Sequence, residues 1–264
     1  MRILVTNDDG IMAPGLKVAE EIALSIAKDP QKVVTVAPAL EQSGVGHCIS
    51  YVRPTLITEV SANRFSVEGS PADCVLAGVH YVMKDAPPDL IISGVNKGHN
   101  LADDILYSGT VGAALEGALQ NINSIALSQC YSKHSLKTKD PFEAARAHGA
   151  RICSQICENS FWNREQYKIF YNVNFPAVRG SEVLGVKVCC KGTRFPGSFS
   201  MDKTKAPNGR VFLWVNHRPN KESVEEESDI YAIKHRKISI TPLKADFTDH
   251  KTITLLDRNI SDDY

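Results

Sequence analysis

Two adjacent carboxylates near the start of the chain, Asp8 and Asp9, are the first residues whose types and spacing could do chemistry. They stand in the run Asn7-Asp8-Asp9-Gly10, directly after an apolar segment that we predict as the first strand. Neighbouring carboxylates repel each other, so a fold that holds them together at a strand end usually supplies a cation. Because Asn, Asp and Gly also close ordinary turns, a simple turn is the alternative for this segment.

Two further loops carry oxygen-bearing side chains just after predicted strands. Residues 41–44 (Glu-Gln-Ser-Gly) follow the second strand, and residues 94–100 (Gly-Val-Asn-Lys-Gly-His-Asn) follow the third. In an open parallel sheet, ligands bind outside the carboxyl ends of the strands, so these loops can converge on the two aspartates. Carboxylate, hydroxyl and amide oxygens suit Mg²⁺ or Mn²⁺, and a structural zinc site is not expected.

A fourth loop has the features of an anion site. Residues 103–110 lead into a helix that we expect to begin near Val111, with Ser108 or Thr110 as its cap. Exposed amides at a helix start favour a phosphate group, although an ordinary capped helix explains the same residues. A metal loop and an anion loop in one fold point together to phosphate chemistry.

Apolar strands that alternate with helix-length segments must position these loops. The strands predicted in the first half are 2–6, 32–37 and 89–94, and the helices are 15–28, 71–83 and 110–120. The strands predicted in the second half are 168–173, 182–190, 210–215 and 237–242, with a helix at 228–236. The order in the first half implies right-handed crossovers and a parallel sheet covered by helices, which is the α/β class.

Residues 191–227 differ in composition from the rest of the chain, being rich in Gly, Pro, Lys, Asn and Glu. Such a stretch is either a projecting hairpin arm or a mobile loop. Its apolar residues Phe195, Phe199, Phe212 and Trp214 favour an ordered arm that packs on something, such as another subunit. We therefore expect a catalytic core at 1–190 and, within the same domain, an extension at 191–264 that serves oligomerisation.

The composition limits the partners of this protein. The 264 residues include 30 Lys plus Arg and 30 Asp plus Glu, so no global field draws in nucleic acid or an anionic membrane. No apolar signal core and no apolar run of about eighteen residues occur in the sequence. The seven cysteines follow neither zinc nor CxxC spacing and are expected to be thiols. We expect a cytoplasmic protein with no nucleic-acid or membrane partner.

Seven segments resemble, in the same order, motifs of the stationary-phase survival protein SurE family of metal-dependent nucleotidases. The segments are 3–10 with 13–15, 37–38 with 41–44, 69–74, 93–100, 107–111, 172–176 and 239–243. Two positions depart from the family pattern. Ala102 stands where a Gly is usual, so this turn must avoid a positive φ or accept strain. Residues 234–237 replace a segment in which the family usually has a Gly.

The resemblance implies a three-layer α/β/α fold with a Rossmann-like, largely parallel sheet, and homodimers or homotetramers that exchange C-terminal arms. It implies a hydrolase of nucleoside 5′- and 3′-monophosphates, sometimes also of short polyphosphate, with one divalent ion, Mn²⁺ or Mg²⁺, per subunit. The implied metal ligands are Asp8, Asp9, Ser43 and Asn96. The implied phosphate contacts are Gly44, Asn100, Ser108, Gly109 and Thr110.

Two residues are expected to take part in catalysis. Asp8 is our candidate for holding or deprotonating the attacking water, and Asn96 is expected to help fix the phosphate for in-line attack. His47 or His99 could donate a proton to the leaving oxygen, but we expect solvent exposure or a loop-bracing hydrogen bond.

Two other classes of function fit the same residues. One is a phosphomonoesterase of broad specificity, and the other is a nucleotide-binding sensor that has lost hydrolysis. A sensor is expected to lack a metal ligand, and this chain lacks none of the four. Asp103 and Asp104 are expected to take turn and cap roles rather than to bind the ion.

Overall fold

The structure is a computed structural model that describes residues 1–131, 140–159, 161–164, 167–194, 199–217 and 225–260. The strands are β1 (Ile3–Thr6), β2 (Val33–Pro38), β3 (Ile57–Ser61), β4 (Arg64–Val67), β5 (Leu90–Lys97), β6 (Asn123–Gln129), β7 (Asn163–Arg164), β8 (Tyr167–Lys168), β9 (Phe170–Phe175), β10 (Val186–Val188), β11 (Phe199–Lys205), β12 (Val211–His217) and β13 (Ile238–Leu243). The helices are α1 (Pro14–Ala27), α2 (Pro71–Ala77), α3 (Gly109–Leu119), α4 (Glu143–Asn159), α5 (Asp229–Lys234) and α6 (His250–Ile260).

In the described part of the chain, nine strands form one sheet in the order β10-β13-β9-β6-β5-β1-β2-β4-β3. β1 lies inside the sheet and pairs in parallel with β2 and β5. The pairs β9–β13 and β3–β4 are antiparallel. Because Thr6 is opposite Ser93 in the register, the turn after β1 begins beside the last four residues of β5.

Helices cover both faces of this sheet. Ile3 and Val5 of β1 face a core shared with α1 and α4, whereas Leu4 between them packs in a second cluster with α2 and Ala113 of α3. A strand that is buried on both faces needs a continuous apolar run, which explains the composition of β1, β2 and the first half of β5. The predicted three-layer α/β fold with a largely parallel sheet is confirmed.

Several element boundaries differ from the prediction. The helix predicted at 71–83 is α2 followed by a π-helical turn at Gly78–Val82. The strand predicted at 182–190 is reduced to β10, because a 3-10 turn at Gly180–Glu182 and Gly185, with φ of 125°, precede it. β3, β4 and β6 were not predicted. β6 is buried, yet Ser124, Ser128 and Gln129 interrupt its apolar pattern.

The C-terminal region contains the predicted hairpin. β11 and β12 pair along seven positions, and apolar side chains such as Phe212 and Trp214 are exposed. At its base, the Phe199 ring lies edge-on to Tyr107, with 5.6 Å between ring centroids. Phe195 lies outside the described residues. β13 inserts between β9 and β10 of the main sheet, and both the boundary at 190 and the oligomerisation role stay predictions.

Gln129 ties the end of β6 to its neighbours. Its side chain is 1% exposed; Oε1 accepts the Ala145 N–H at 3.0 Å, and Nε2 donates to the Pro176 carbonyl at 3.0 Å. Its own carbonyl accepts the Gly98 N–H at 3.1 Å. The side-chain amide of Gln129 therefore holds the start of α4 and the end of β9, and its main-chain carbonyl holds the loop after β5.

Replacing Gln129 by Leu should destabilise the protein. The change leaves the buried Ala145 N–H without an acceptor, and a lost buried partner costs about 1–3 kcal/mol. We expect the free energy of unfolding, measured by urea denaturation, to fall by about 2 kcal/mol. Gln155→Leu, on the exposed face of α4, is the matched control and should change it by less than about 0.5 kcal/mol. Equal stability of the two variants would contradict this role of Gln129.

Candidate metal and phosphate site

The turn after β1 depends on Asn7 and Gly10. Asn7 Nδ2 donates to the Gly10 carbonyl at 2.9 Å, and the Gly10 N–H donates to Asn7 Oδ1 at 3.2 Å. Gly10 has φ of 98°, a conformation that favours glycine. Asn7 and Gly10 therefore form the turn that one interpretation of this segment predicts. The Asp8 and Asp9 carboxylates take no part in these two hydrogen bonds and contact other partners.

Asp8 is held by the first turn of α3. Its side chain is buried, with 4% of the residue exposed, and accepts hydrogen bonds from the Thr110 hydroxyl at 2.5 Å and the Thr110 N–H at 3.1 Å. Burial raises the pKa of Asp8 to about 6; the Thr110 hydrogen bonds oppose this shift, and the charge of Asp9 adds to it. A carboxylate in this setting is stabilised by a bound cation.

Asp9 connects the loop after β1 to two other loops. Its Oδ2 accepts the Lys97 N–H at 2.9 Å. Burial raises the pKa of Asp9, the Lys97 N–H opposes the shift, and the charge of nearby Glu41 adds to it. The Gln42 N–H also donates to the Asp8 carbonyl at 2.7 Å. The turn that carries Asp8, the loop at 41–44 and the end of β5, which carries Asn96, thus meet at one edge of the sheet.

The two neutral candidate ligands are Ser43, on the loop after β2, and Asn96, near the end of β5. Ser43 is exposed, and its hydroxyl donates to Glu41 Oε1 at 2.8 Å, which leaves lone pairs on the hydroxyl oxygen. Asn96 Nδ2 donates to the Gly98 carbonyl at 3.2 Å, so Oδ1 is the atom that can coordinate an ion. A register shift separates the pair of Ser93 with Ala126 from the pair of Asn96 with Ser128, so β5 is irregular just before Asn96.

The donor set of this site fits a hard divalent cation. Two carboxylates, a hydroxyl and an amide supply oxygen only, the ligand type that Mg²⁺ and Mn²⁺ prefer. Within the described ranges, no group of three or more His, Cys, Asp and Glu side chains could hold a metal. The Asp8–Asp9 site contains two residues of these four types, since its other candidate ligands, Ser43 and Asn96, carry a hydroxyl and an amide.

The start of α3 has a distinct arrangement of donors. Ser108 is the N-cap and accepts the Val111 N–H at 3.1 Å, whereas Thr110 directs both its N–H and its hydroxyl to Asp8. In the part of the chain that the structure describes, the Gly109 N–H has no partner. Gly44, across the site, has φ of 81° and is exposed. Gly109 is therefore the amide best placed to contact a phosphate.

Gly109 also allows the close approach of α3 to β1. A Cβ atom at this position would lie 2.8 Å from Asp8 Cβ and 3.0 Å from Pro71 Cγ. Real Cβ atoms do not approach their neighbours so closely, so any larger residue would displace Asp8. The close contact between α3 and β1, which positions the Asp8 carboxylate, therefore requires glycine at position 109.

Asn100 is buried and bonds to other residues of the protein, whereas the resemblance implies only a phosphate contact. Its Nδ2 donates to Ser128 Oγ at 2.7 Å, its N–H donates to Asn174 Oδ1 at 2.8 Å, and its carbonyl accepts Nδ2 of Asn172 at 2.8 Å. Sequence analysis missed these partners. The alternation Asn172-Val173-Asn174 in a buried strand is the signal that could have indicated them, because it places two amides on one face of β9.

The two histidines of the loops pair with carboxylates. His47 Nε2 lies 2.6 Å from Oε2 of Glu116, which is 3% exposed, and His99 Nε2 lies 3.4 Å from Asp104 Oδ2. Asp103 accepts from Lys191 Nζ and from the Arg194 N–H, and Asp104 accepts from the Arg194 guanidinium. Both aspartates lie in the first turn of a 3-10 helix at Ala102–Leu106, which agrees with the expected turn role. The expected cap role is wrong, because their side chains hold the base of the arm instead.

Ala102 accepts a positive φ. It has φ of 50°, in the left-handed region that is strained for residues other than glycine. Its N–H donates at 2.9 Å to Asp229, a buried carboxylate that also accepts the Gly192 N–H at 2.9 Å. Asp229 thus stabilises the turn in which Ala102 replaces the usual Gly.

Comparisons with known proteins show the family and the fold. The family model described as Survival protein SurE matches residues 3–197. The chain is 50% identical over 254 residues to a protein of Roseobacter denitrificans named 5′-nucleotidase SurE, covering 95% of this chain and 96% of that one. It is 52% identical to a protein of the same name from Jannaschia sp., covering 94% and 95%. The crystal structure of the SurE protein from Aquifex aeolicus superposes with a TM-score of 0.79 at 32% identity, covering 98% and 99%.

Thr110→Val tests how Asp8 is held. The variant keeps the shape and the N–H contact but removes the hydroxyl that donates to Asp8 Oδ1. Loss of a partner that orients a metal ligand typically lowers metal affinity about 10–100-fold, and we expect that loss for Mn²⁺ in calorimetric titration. Thr58→Val, on an exposed edge strand, is the matched control and should leave the Kd unchanged. Unchanged affinity in Thr110→Val would exclude this positioning role.

Proposed function

The chain belongs to the survival protein SurE family, and we propose that it hydrolyses nucleoside 5′-monophosphates at the Asp8–Asp9 site. The protein is a metal-dependent nucleotidase, a phosphoric monoester hydrolase. The proposed position of the site rests on the two hydrogen bonds between Asp8 and Thr110. It joins a hard-cation site to the helix start that can hold a phosphate.

We assign one divalent ion, Mn²⁺ or Mg²⁺, to the oxygens of Asp8, Asp9, Ser43 and Asn96. The donor chemistry and the raised pKa values of the two aspartates support this assignment. When bound, such an ion lowers the pKa of a coordinated water and screens charge on the transferring phosphoryl group.

Asp8 is the proposed base. A carboxylate that contacts both an ion and solvent can hold the attacking water and accept its proton. The water oxygen forms the new bond to phosphorus while the ester bond to the nucleoside breaks, and the leaving nucleoside oxygen takes up a proton from solvent. Because Thr110 fixes the Asp8 carboxylate, the base keeps one orientation during this step.

The phosphate is proposed to lie at the start of α3. The Gly109 N–H, the Asn96 amide and the Gly44 backbone fix it for in-line attack, and the positive end of the helix stabilises its charge. Ser108, Thr110 and Asn100 complete the proposed contacts. Their hydrogen bonds to other groups support a role in holding the loops around the phosphate.

Several finer features are proposed on the family resemblance. These are hydrolysis of 3′-monophosphates and of short polyphosphate, and assembly of homodimers or homotetramers through the 191–264 extension. The exposed side chains of the hairpin, with Trp214 at 62% exposure, support the assembly role. A cytoplasmic location is supported by the seven free thiols. The described residues contain no helix that is long and apolar enough to span a membrane.

Asp8→Asn should reduce kcat/KM for AMP and GMP, measured as phosphate release with Mn²⁺, by about a hundredfold or more. The change removes the proposed base and one ionic ligand while keeping the size of the side chain. Asp85→Asn, an exposed carboxylate remote from the site, is the matched control and should be unaffected. EDTA should abolish the activity, and Mn²⁺ should restore it.

The same assay separates the alternative functions. A near-normal rate of Asp8→Asn at saturating metal would contradict the assignment of the base. Equal rates of the native protein on nucleotides, p-nitrophenyl phosphate and sugar phosphates would indicate a broad phosphomonoesterase. Nucleotide binding without phosphate release would indicate a sensor.

A further inference from the structure

Glu116 is a buried acidic residue on a helix that is otherwise small and apolar. It lies in α3, whose other residues are Gly, Ala, Val, Leu and Thr, and it is 3% exposed. The reaction described above gives it no role. Because a buried carboxylate is costly unless it is paired and hydrogen-bonded, the contacts of Glu116 indicate what it does in the fold.

Two side chains hold the Glu116 carboxylate. His47 Nε2 lies 2.6 Å from its Oε2, and Gln120 Nε2 donates to its Oε1 at 2.7 Å. His80 Nε2 in turn lies 2.9 Å from Gln120 Oε1. Burial alone raises the pKa of Glu116, but these hydrogen bonds and the charges of the two histidines outweigh burial and lower it. Glu116 is therefore an ionised acceptor that faces His47.

His47 meets α3 at a face where glycine permits a very close approach. Gly112 lies four residues before Glu116, so both are on the same face of the helix. A Cβ atom at Gly112 would lie 2.6 Å from the Gly46 carbonyl oxygen and 3.1 Å from His47 Cα. The Gly46 N–H also donates to the Tyr107 carbonyl, just before α3, at 2.9 Å. The loop after β2 thus lies directly against the backbone of α3.

The same loop reaches the proposed metal site within a few residues. Ser43, a candidate ligand, is four positions before His47. The N–H of Gln42, the residue before Ser43, donates to the Asp8 carbonyl at 2.7 Å. The Ser43 segment is therefore attached to the Asp8 turn at one end and to α3, through His47, at the other.

The backbone between these two attachments includes two glycines. Gly44 has φ of 81° and Gly46 has φ of 58°. Glycine loses more conformational freedom on folding than any other residue, so the order of this segment depends on contacts that fix it. The Ser43 hydroxyl donates to Glu41 of the same loop, and this bond does not attach the loop to the rest of the protein.

We infer that Glu116 is a positioning residue of the metal site, which acts through His47 on the loop that carries Ser43. One helix then sets both halves of the site. Thr110 holds Asp8, and Glu116, less than two turns further along α3, holds the loop that carries Ser43. The inference rests on the proposed function, since it takes Ser43 as a ligand of the divalent ion.

Calorimetric titration with Mn²⁺ tests the inference independently of activity. Glu116→Met keeps the length of the side chain and removes the acceptor, and His47→Ala removes the other partner. Each should raise the Kd about tenfold, as expected when a residue that orients a metal ligand is lost. The double variant should raise it no further than the larger single change, because both changes remove one contact. Glu158→Met, on the exposed end of α4, is the matched control and should keep the native Kd.

The conservative variant Glu116→Gln provides a rescue. It keeps an acceptor oxygen for His47 and should bind Mn²⁺ more tightly than Glu116→Met, which a loss of packing alone does not predict. If circular dichroism shows that Glu116→Met does not fold, His47→Ala carries the test, because it removes the same contact from the loop side.

Two results would overturn the inference while nucleotide hydrolysis stands. One is a native Kd for Mn²⁺ in either folded single variant, Glu116→Met or His47→Ala. The other is a double variant whose increase in Kd equals the product of the two single increases, because the residues would then act independently. A native protein that binds no Mn²⁺ or releases no phosphate from AMP would overturn the proposed function, and the inference with it.

Discussion

The contact between Asp8 and Thr110 is the constraint on which the rest of the site depends. It joins the end of an interior strand to the first turn of α3, across 102 positions of sequence. A buried carboxylate is costly unless hydrogen bonds and a nearby cation compensate its charge. Gly109 permits the approach, because a Cβ there would lie 2.8 Å from Asp8 Cβ. The carboxylates and the helix start therefore form one structural unit, in which a shift of α3 moves the proposed base.

Buried polar groups, rather than apolar contacts, fix the loops around this unit. Asn100 bonds to Asn174, the Gln129 carbonyl accepts the Gly98 N–H, and Asp229 accepts from Ala102. Hydrogen bonds between buried groups are strong, because the local dielectric is low. The apolar layers place the strand ends at one edge of the sheet, and these polar contacts then set the loop positions that chemistry requires.

Strands could be predicted where the apolar pattern of the sequence matches the burial of the strand in the folded protein. β1, β2 and the first half of β5 are buried on both faces, and a continuous apolar run is the signature of such strands. β6 is also buried but was not predicted, because its serines and Gln129 form hydrogen bonds that no local pattern indicates. The segments that carry the candidate ligands could be predicted from residue type and position at strand ends, since parallel strand ends converge. The family resemblance then implied which of their residues are the ligands.

The sequence by itself determined the α/β class, the oxygen chemistry of the candidate ligands and the family to which the chain belongs. Only the tertiary structure decided which group each polar side chain contacts. Thr110 turns to Asp8, and Asp103 and Asp104 turn to the base of the arm rather than capping a helix. The physical reason is that these partners are about ninety or more positions apart. Their meeting depends on how whole layers pack, which short-range spacing does not encode.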